Sequence, residues 1–125
     1  MNKVVHFEIP ADDMERAQKF YRETFGWSIN EIPRMNYCLV NTVETDEKGM
    51  PKTPGAINGG MVKRDETGKH PVIVIKVPSI EEHIKKVEKT GGKIVMPTVP
   101  VGDMGFYARF RDTEGNIIGL WQDRK

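Results

Sequence analysis

Val72-Ile73-Val74-Ile75-Lys76-Val77-Pro78-Ser79-Ile80-Glu81-Glu82, a segment that runs on to Gly91-Gly92-Lys93-Ile94-Val95, lies without a gap on residues 6–29. In that superposition Phe7, Ile9 and Ala11 fall on Ile73, Ile75 and Val77. Gly26 falls on Gly92, and Trp27-Ser28-Ile29 falls on Lys93-Ile94-Val95. Few residues are identical; what repeats is a pattern of short strand, amphipathic helix, glycine and resumed strand. An internal repeat constrains architecture more tightly than any single element, because each copy must be the same supersecondary unit.

Working outward, each helix carries its own boundaries. In the first, Asp12 with Glu15 reads as a capping box, and Met14, Ala17, Phe20 and Tyr21 follow helical spacing up to Gly26. In the second, Ser79 with Glu82 caps a stripe of Ile80, Ile84 and Val87 that Gly91-Gly92 stops. Pro10 and Pro78 end the strands before them. Three strand candidates follow each helix, at about 27–32, 35–42 and 56–63, and at about 93–96, 104–111 and 117–122. In the last strand of each set Gly60-Met61-Val62 corresponds to Gly119-Leu120-Trp121, and Asp112-Thr113-Glu114-Gly115-Asn116 is a turn. Glu44 to Gly55 reads as an exposed loop and Asp65 to His70 as the connection between halves. The expectation is one α+β domain over 1–125 made of two βαβββ modules, about 1–64 and 71–125.

Composition bounds the function. With 125 residues the chain can bury a core, and 38% apolar with 30% charged residues excludes wholesale disorder. A net charge of +1 gives no electrostatic reason to expect nucleic acid or an anionic membrane as partner. The run Val72-Ile73-Val74-Ile75 is far too short to cross a bilayer, and Met1 to Asp13 shows no signal peptide. A single cysteine, Cys38, excludes an intrachain disulfide, suits a reducing cytoplasm and is expected to be a packed thiol. No phosphate-cradling glycine loop and no serine-hydrolase elbow is present.

Strand alternation then assigns faces. Val5, Phe7 and Ile9 go under the first helix, and Val4, His6 and Glu8 point the other way. Ile73, Ile75 and Val77 go under the second, leaving Val72, Val74 and Lys76 opposite. Phe106, Ala108 and Phe110 are core, so Tyr107, Arg109 and Arg111 turn away; Ile118 and Leu120 are core, so Ile117, Gly119 and Trp121 turn away. Cys38 and Val40 belong under the helix, with Tyr37 and Leu39 opposite. A shared curved mixed sheet would gather His6, Glu8, Tyr37, Asn58, Tyr107, Arg109 and Trp121 around one cavity. That set is aromatic with a few hydrogen-bonding groups, as a substrate-binding pocket requires.

Val4-Val5-His6-Phe7-Glu8-Ile9, Asp13-Met14-Glu15-Arg16-Ala17, and Phe20-Tyr21 with Phe25-Gly26-Trp27 carry a resemblance that Phe110-Arg111-Asp112-Thr113-Glu114-Gly115-Asn116 and Ile118-Gly119-Leu120-Trp121 complete. The chain resembles the vicinal oxygen chelate superfamily, which includes glyoxalase I, bleomycin-resistance proteins and extradiol dioxygenases. The resemblance implies paired βαβββ modules around a cavity, often in a homodimer, and in the enzymes a divalent metal that stabilises a developing oxyanion. It places the metal ligands at His6, Gly60, Val72 and Gly119, of which only His6 can coordinate. Catalytic metal sites normally use about three protein ligands. The expectation is therefore no metal and no cofactor. Three routes would restore a metal: Glu8, roughly 6.6 Å along the strand from His6; a register shift bringing in His70; or ligands from a partner chain.

Three functions remain open on the sequence. One is a metal-independent protein binding a planar or anionic small molecule, with Arg109 and Tyr107 as polar anchors; a neutralising salt bridge from Arg109 to Glu8 is the plainer alternative. The second is a metal-dependent lyase or isomerase related to lactoylglutathione lyase. The third is a metal-free acid/base enzyme in which Glu8 orients His6 as catalytic base. Tyr37 and Trp121 stack on a ligand or simply fill space, and His83 reads as a half-buried helix residue.

Overall fold

Alternating side chains draw the chain into β1 (Lys3–Ala11), the first strand of a computed structural model that describes residues 1–124. There follow α1 (Met14–Phe25), β2 (Ser28–Ile32), β3 (Tyr37–Asn41), β4 (Gly59–Lys63), β5 (Val72–Lys76), α2 (Ile80–Lys89), β6 (Lys93–Val101), β7 (Gly105–Arg111) and β8 (Ile117–Asp123). The residues form two compact units: an N-terminal one, His6–Pro71, and a C-terminal one in which Met1–Val5 groups with the residues from Val72 onward. Each is a βαβββ module, and the fold class is α+β. The N-terminal unit orders its strands β1-β4-β3-β2 and the C-terminal unit β5-β8-β7-β6. In both, the first strand of the module runs parallel to the fourth, and the other neighbours are antiparallel. Each parallel return needs a long crossover, and in both units that crossover carries the helix and two further strands.

Helix α1 starts one residue later than a box on Asp12 requires. Asp13 is the N-cap and accepts from the Arg16 N–H, while Asp12 turns aside to the Arg64 guanidinium at 2.9 Å. Two adjacent aspartates offer the same capping chemistry, and the one whose backbone is extended just before the first helical residue takes the role. Gly26 closes the helix in the left-handed conformation at φ 72°. Met14, Ala17 and Tyr21 pack on Ala11, Ile29, Cys38, Val40 and Met61. Phe20 does not join them and is 56% exposed. It stands about 100° round the helix from Tyr21, off the buried stripe, and Gln18 takes the inner position instead. Tyr21 stacks on Trp27 at 5.0 Å and 4° between ring planes, so the aromatic cluster seals the helix end onto β2.

In the C-terminal unit Ser79 accepts from the Glu82 N–H, and Ile80 and Ile84 pack on Val77, Ala108 and Leu120 with Phe106 and Phe110. Strand β6 extends well past residue 96, through Pro97 and Pro100 to Val101, with register shifts between Ile94 and Met96 and between Met96 and Val99. It lies at the end of its unit's strand order, where a proline forfeits no ladder bond to a second neighbour. β1 likewise runs through Pro10 to Ala11, and β4 begins only at Gly59, which leaves Asn58 in the preceding loop.

Candidate functional site

On the face of the N-terminal unit turned away from α1, the ladder sets Glu8 beside Gly60 and Gly60 beside Leu39, with Tyr37 opposite Val62. His6 precedes Glu8 by two residues and shares its face. The Tyr37 ring leans along the sheet until its hydroxyl stands over Gly60, where a Cβ would overlap the phenol oxygen. There Tyr37 Oη and His6 Nε2 are hydrogen-bonded at 2.9 Å. Burial holds the His6 imidazole below its ordinary pKa, partly offset by the Glu8 carboxylate, which leaves it neutral at pH 7. Glu8 itself is buried. On the same face β2 presents only Ser28, Asn30 and Ile32, and the neighbouring Leu39 is 42% exposed.

The C-terminal unit repeats this geometry with different chemistry. Arg109 pairs with Gly119 and Tyr107 with Trp121, so a tyrosine again sits two residues before the partner of a glycine. A Cβ on Gly119 would come within 2.7 Å of the Tyr107 hydroxyl oxygen. That oxygen accepts from Arg109 Nε–H at 2.8 Å, and the guanidinium carbon lies 5.5 Å from the centre of the Tyr107 ring. Arg109 is only 5% exposed. Val72 and Val74, both buried, supply hydrocarbon on β5. Trp121 donates to Asp123 Oδ1 at 2.6 Å, and Asp123 Oδ2 holds Lys76 Nζ at 2.5 Å. These two partners hold the Asp123 carboxyl below its usual range and fix the indole against Gly105.

Of the residues singled out from sequence, the structure joins His6 with Tyr37 in one unit and Tyr107 with Arg109 in the other. Trp121 is half-buried on the face expected for it. Asn58 goes elsewhere: its side-chain oxygen accepts from the Thr42 and Val43 N–H groups at 2.7 and 3.1 Å and brackets the loop onto β3. His83 bonds the Ser79 carbonyl through Nδ1 and meets Asn2 through Nε2. Cys38 is fully buried and its thiol pKa is pushed up by that burial. His70 lies exposed in the connection after β4. Sequence reading missed that each tyrosine roofs a glycine. The signal was present as Tyr37 with Gly60 and Tyr107 with Gly119, at equal ladder offsets, but it needed the registers to be seen.

Two βαβββ modules, each with a polar and aromatic face opposite its helix, define the class of α+β protein to which the chain belongs. Residues 3–42 match the family model of the bleomycin resistance protein-like N-terminal region. The chain is 33% identical over 118 residues to a glyoxylase-like domain-containing protein of Didymella fabae, spanning 90% of this chain and 88% of that one. It is 28% identical over 122 residues to the Mycobacterium bovis protein CFP32, named as a glyoxylase; there the match covers 92% of this chain but only 43% of the relative's length. Among solved structures, a glyoxalase/bleomycin resistance protein/dioxygenase superfamily member from Vibrio splendidus 12B01 is similar with a TM-score of 0.62 at 15% identity, over 98% of this chain and 99% of that one. The chain belongs to the vicinal oxygen chelate superfamily.

Of the four positions at which the resemblance implies metal ligands, one carries a donor side chain. Where ligands are implied stand His6, Gly60, Val72 and Gly119, and the one imidazole already has its Nε2 on Tyr37. At both glycines the volume a ligating side chain would occupy is taken by a phenol. Among the described residues no group of three or more His, Cys, Asp or Glu side chains is placed to hold a metal ion. No helix among them is long and apolar enough to cross a membrane.

Proposed function

We propose that this chain is a metal-independent member of its superfamily that binds a planar or anionic small molecule on the sheet face opposite its helices. The observation that carries this reading is the seating of Tyr37 and Tyr107 over Gly60 and Gly119, which replaces potential ligand positions with phenols. Arg109 and Tyr107 are the polar anchor. A buried guanidinium recognises a carboxylate far more strongly than an exposed one, because both ions are desolvated on contact and the fork geometry matches. Trp121, pinned by Asp123, offers a fixed flat surface for a planar group. The reading includes a homodimer in a reducing cytoplasm: superfamily members are often oligomeric, and the single thiol is buried.

The test uses chelator-treated protein with benzoate and its uncharged isostere benzamide as probes. Benzoate is expected to raise the melting temperature at millimolar concentration, and benzamide to do so several-fold less effectively. Arg109→Gln is expected to abolish the difference between the two. Tyr107→Phe, which keeps the ring but removes the hydroxyl that positions Arg109, is expected to weaken benzoate alone. Equal stabilisation by both probes, or benzoate binding that depends on an added divalent ion, would falsify the reading.

A further inference from the structure

Helix α1 carries an apolar surface that the N-terminal unit does not use. Phe20 and Phe25 are 56% and 59% exposed, and their rings meet edge to face at 6.4 Å. Phe20 also meets Tyr21 edge to face at 5.1 Å, so the two exposed rings carry the aromatic cluster at the helix end out to the surface. Single exposed apolar side chains are ordinary, whereas neighbouring rings form a patch that gains by being covered.

The charges beside this patch select what covers it. At 100° per residue, Arg16 and Glu23 stand on one flank of the helix, about 40° and 60° round from Phe20. Arg16 lies a turn before Phe20 and Glu23 a turn after it, and both are exposed. Arg16 pairs loosely with Asp13 at 4.0 Å, and Glu23 has no ion pair among the described residues. Two helices related by a two-fold axis run antiparallel, with like flanks facing each other. An axis beside Phe20 therefore sets Phe20 against its own copy and Arg16 against the partner's Glu23, twice over. A parallel pair would set Arg16 against Arg16 and Glu23 against Glu23. The order of charges along α1 thus fits a second, antiparallel copy of the same helix.

We propose that the outer face of α1, Phe20 and Phe25 flanked by Arg16 and Glu23, is where two copies of this chain pair about a two-fold axis at Phe20. This deepens the homodimer included in the proposed function and rests on it. Such a contact uses the same patch on both copies, so it closes at two and leaves no apolar face for a third. Within the unit α1 covers the sheet face opposite the one assigned to small molecules, so pairing leaves that surface open.

Sedimentation equilibrium of the full chain at low salt reads the mass against 14.2 kDa for one copy. The unchanged protein is expected to be a dimer at micromolar concentration, and Phe20→Glu is expected to leave monomer alone, with its far-UV circular dichroism intact. Arg16→Glu and Glu23→Arg are each expected to raise the dissociation constant about tenfold, because each sets like charges against one another across the axis. Combining the two is expected to restore the original value. The pair stands about 10 Å apart along its own helix, so that rescue has to come from between copies. A dimer indifferent to Phe20→Glu leaves the homodimer standing and overturns this face. Failure of the combined variant to recover overturns the antiparallel alignment, and a mass above two copies overturns the closure. A monomer in the unchanged protein overturns both this face and the homodimer.

Discussion

At Gly60 and Gly119 the absent Cβ is as informative as any side chain, because each glycine exists alongside a tyrosine that occupies its space. Gly60→Ala is expected to cost about 1–3 kcal/mol, the usual range for overpacking, since the Tyr37 ring must leave and its bond to His6 breaks. In a Tyr37→Ala background the same change should cost far less. A double-mutant cycle by urea denaturation measures this coupling, and additive effects would show that the glycine is there for some other reason. His6 provides a second prediction. Its folded-state pKa lies below the unfolded value, so the unfolded chain takes up the proton first as pH falls. Stability should therefore be lost as pH drops through about 6.5 toward the lower folded value, the slope being positive wherever the unfolded state binds more protons. Urea midpoints at pH 7.5 and 5.5 test this above the range in which Asp112 and Asp123 titrate. His6→Gln should flatten the difference.

The elements were legible to different depths, for physical reasons. Period-two alternation placed Cys38 and Val40 under α1 and Tyr37 and Leu39 opposite, as found, because one buried face leaves a strand a single register. The start of α1 was missed by one residue because Asp12 and Asp13 both carry the right oxygen, and only backbone geometry chooses between them. That choice is testable. Asp13→Ala should cost about 1 kcal/mol as the loss of an N-cap, whereas Asp12→Ala removes only its partly exposed pair with Arg64, worth 0 to about 1 kcal/mol. Urea denaturation of the two variants should rank them in that order, and the reverse ranking would return the cap to Asp12. β6 was cut short at Pro97 because proline signals a stop in an interior strand, and nothing in a local sequence window tells an edge from an interior. Phe20 shows the same limit on a helix: it falls at helical spacing three residues after Ala17, yet it stands in solvent at the edge of the buried stripe.

For the molecule as a whole, the repeat made the α+β module pair readable from sequence, since low identity does not hide a shared spacing of strand, helix and glycine. The site was less readable. Sequence could say that Gly60, Val72 and Gly119 offer no donors, but not what stands in their place. The tyrosines reach their glycines across a strand and two residues along it, a relation that depends on register. Each glycine has a phenol seated over it, one bonded to an imidazole and the other to a guanidinium, as the proposed metal-independent reading requires. This has a thermodynamic consequence for the whole chain. An ion bound to the native state at a hundred times its dissociation constant stabilises by about 2.7 kcal/mol. For a chain of this size that amounts to a melting shift on the order of 10 °C. Protein stripped with chelator and then supplied with Mg²⁺, Mn²⁺, Ni²⁺ or Zn²⁺ is expected to show no shift on that scale, and to bind benzoate equally well before and after. A large stabilisation by one of these ions that disappears in His6→Ala would mean that Tyr37 swings off Gly60 to admit a metal, and the phenols would then be gates and not replacements.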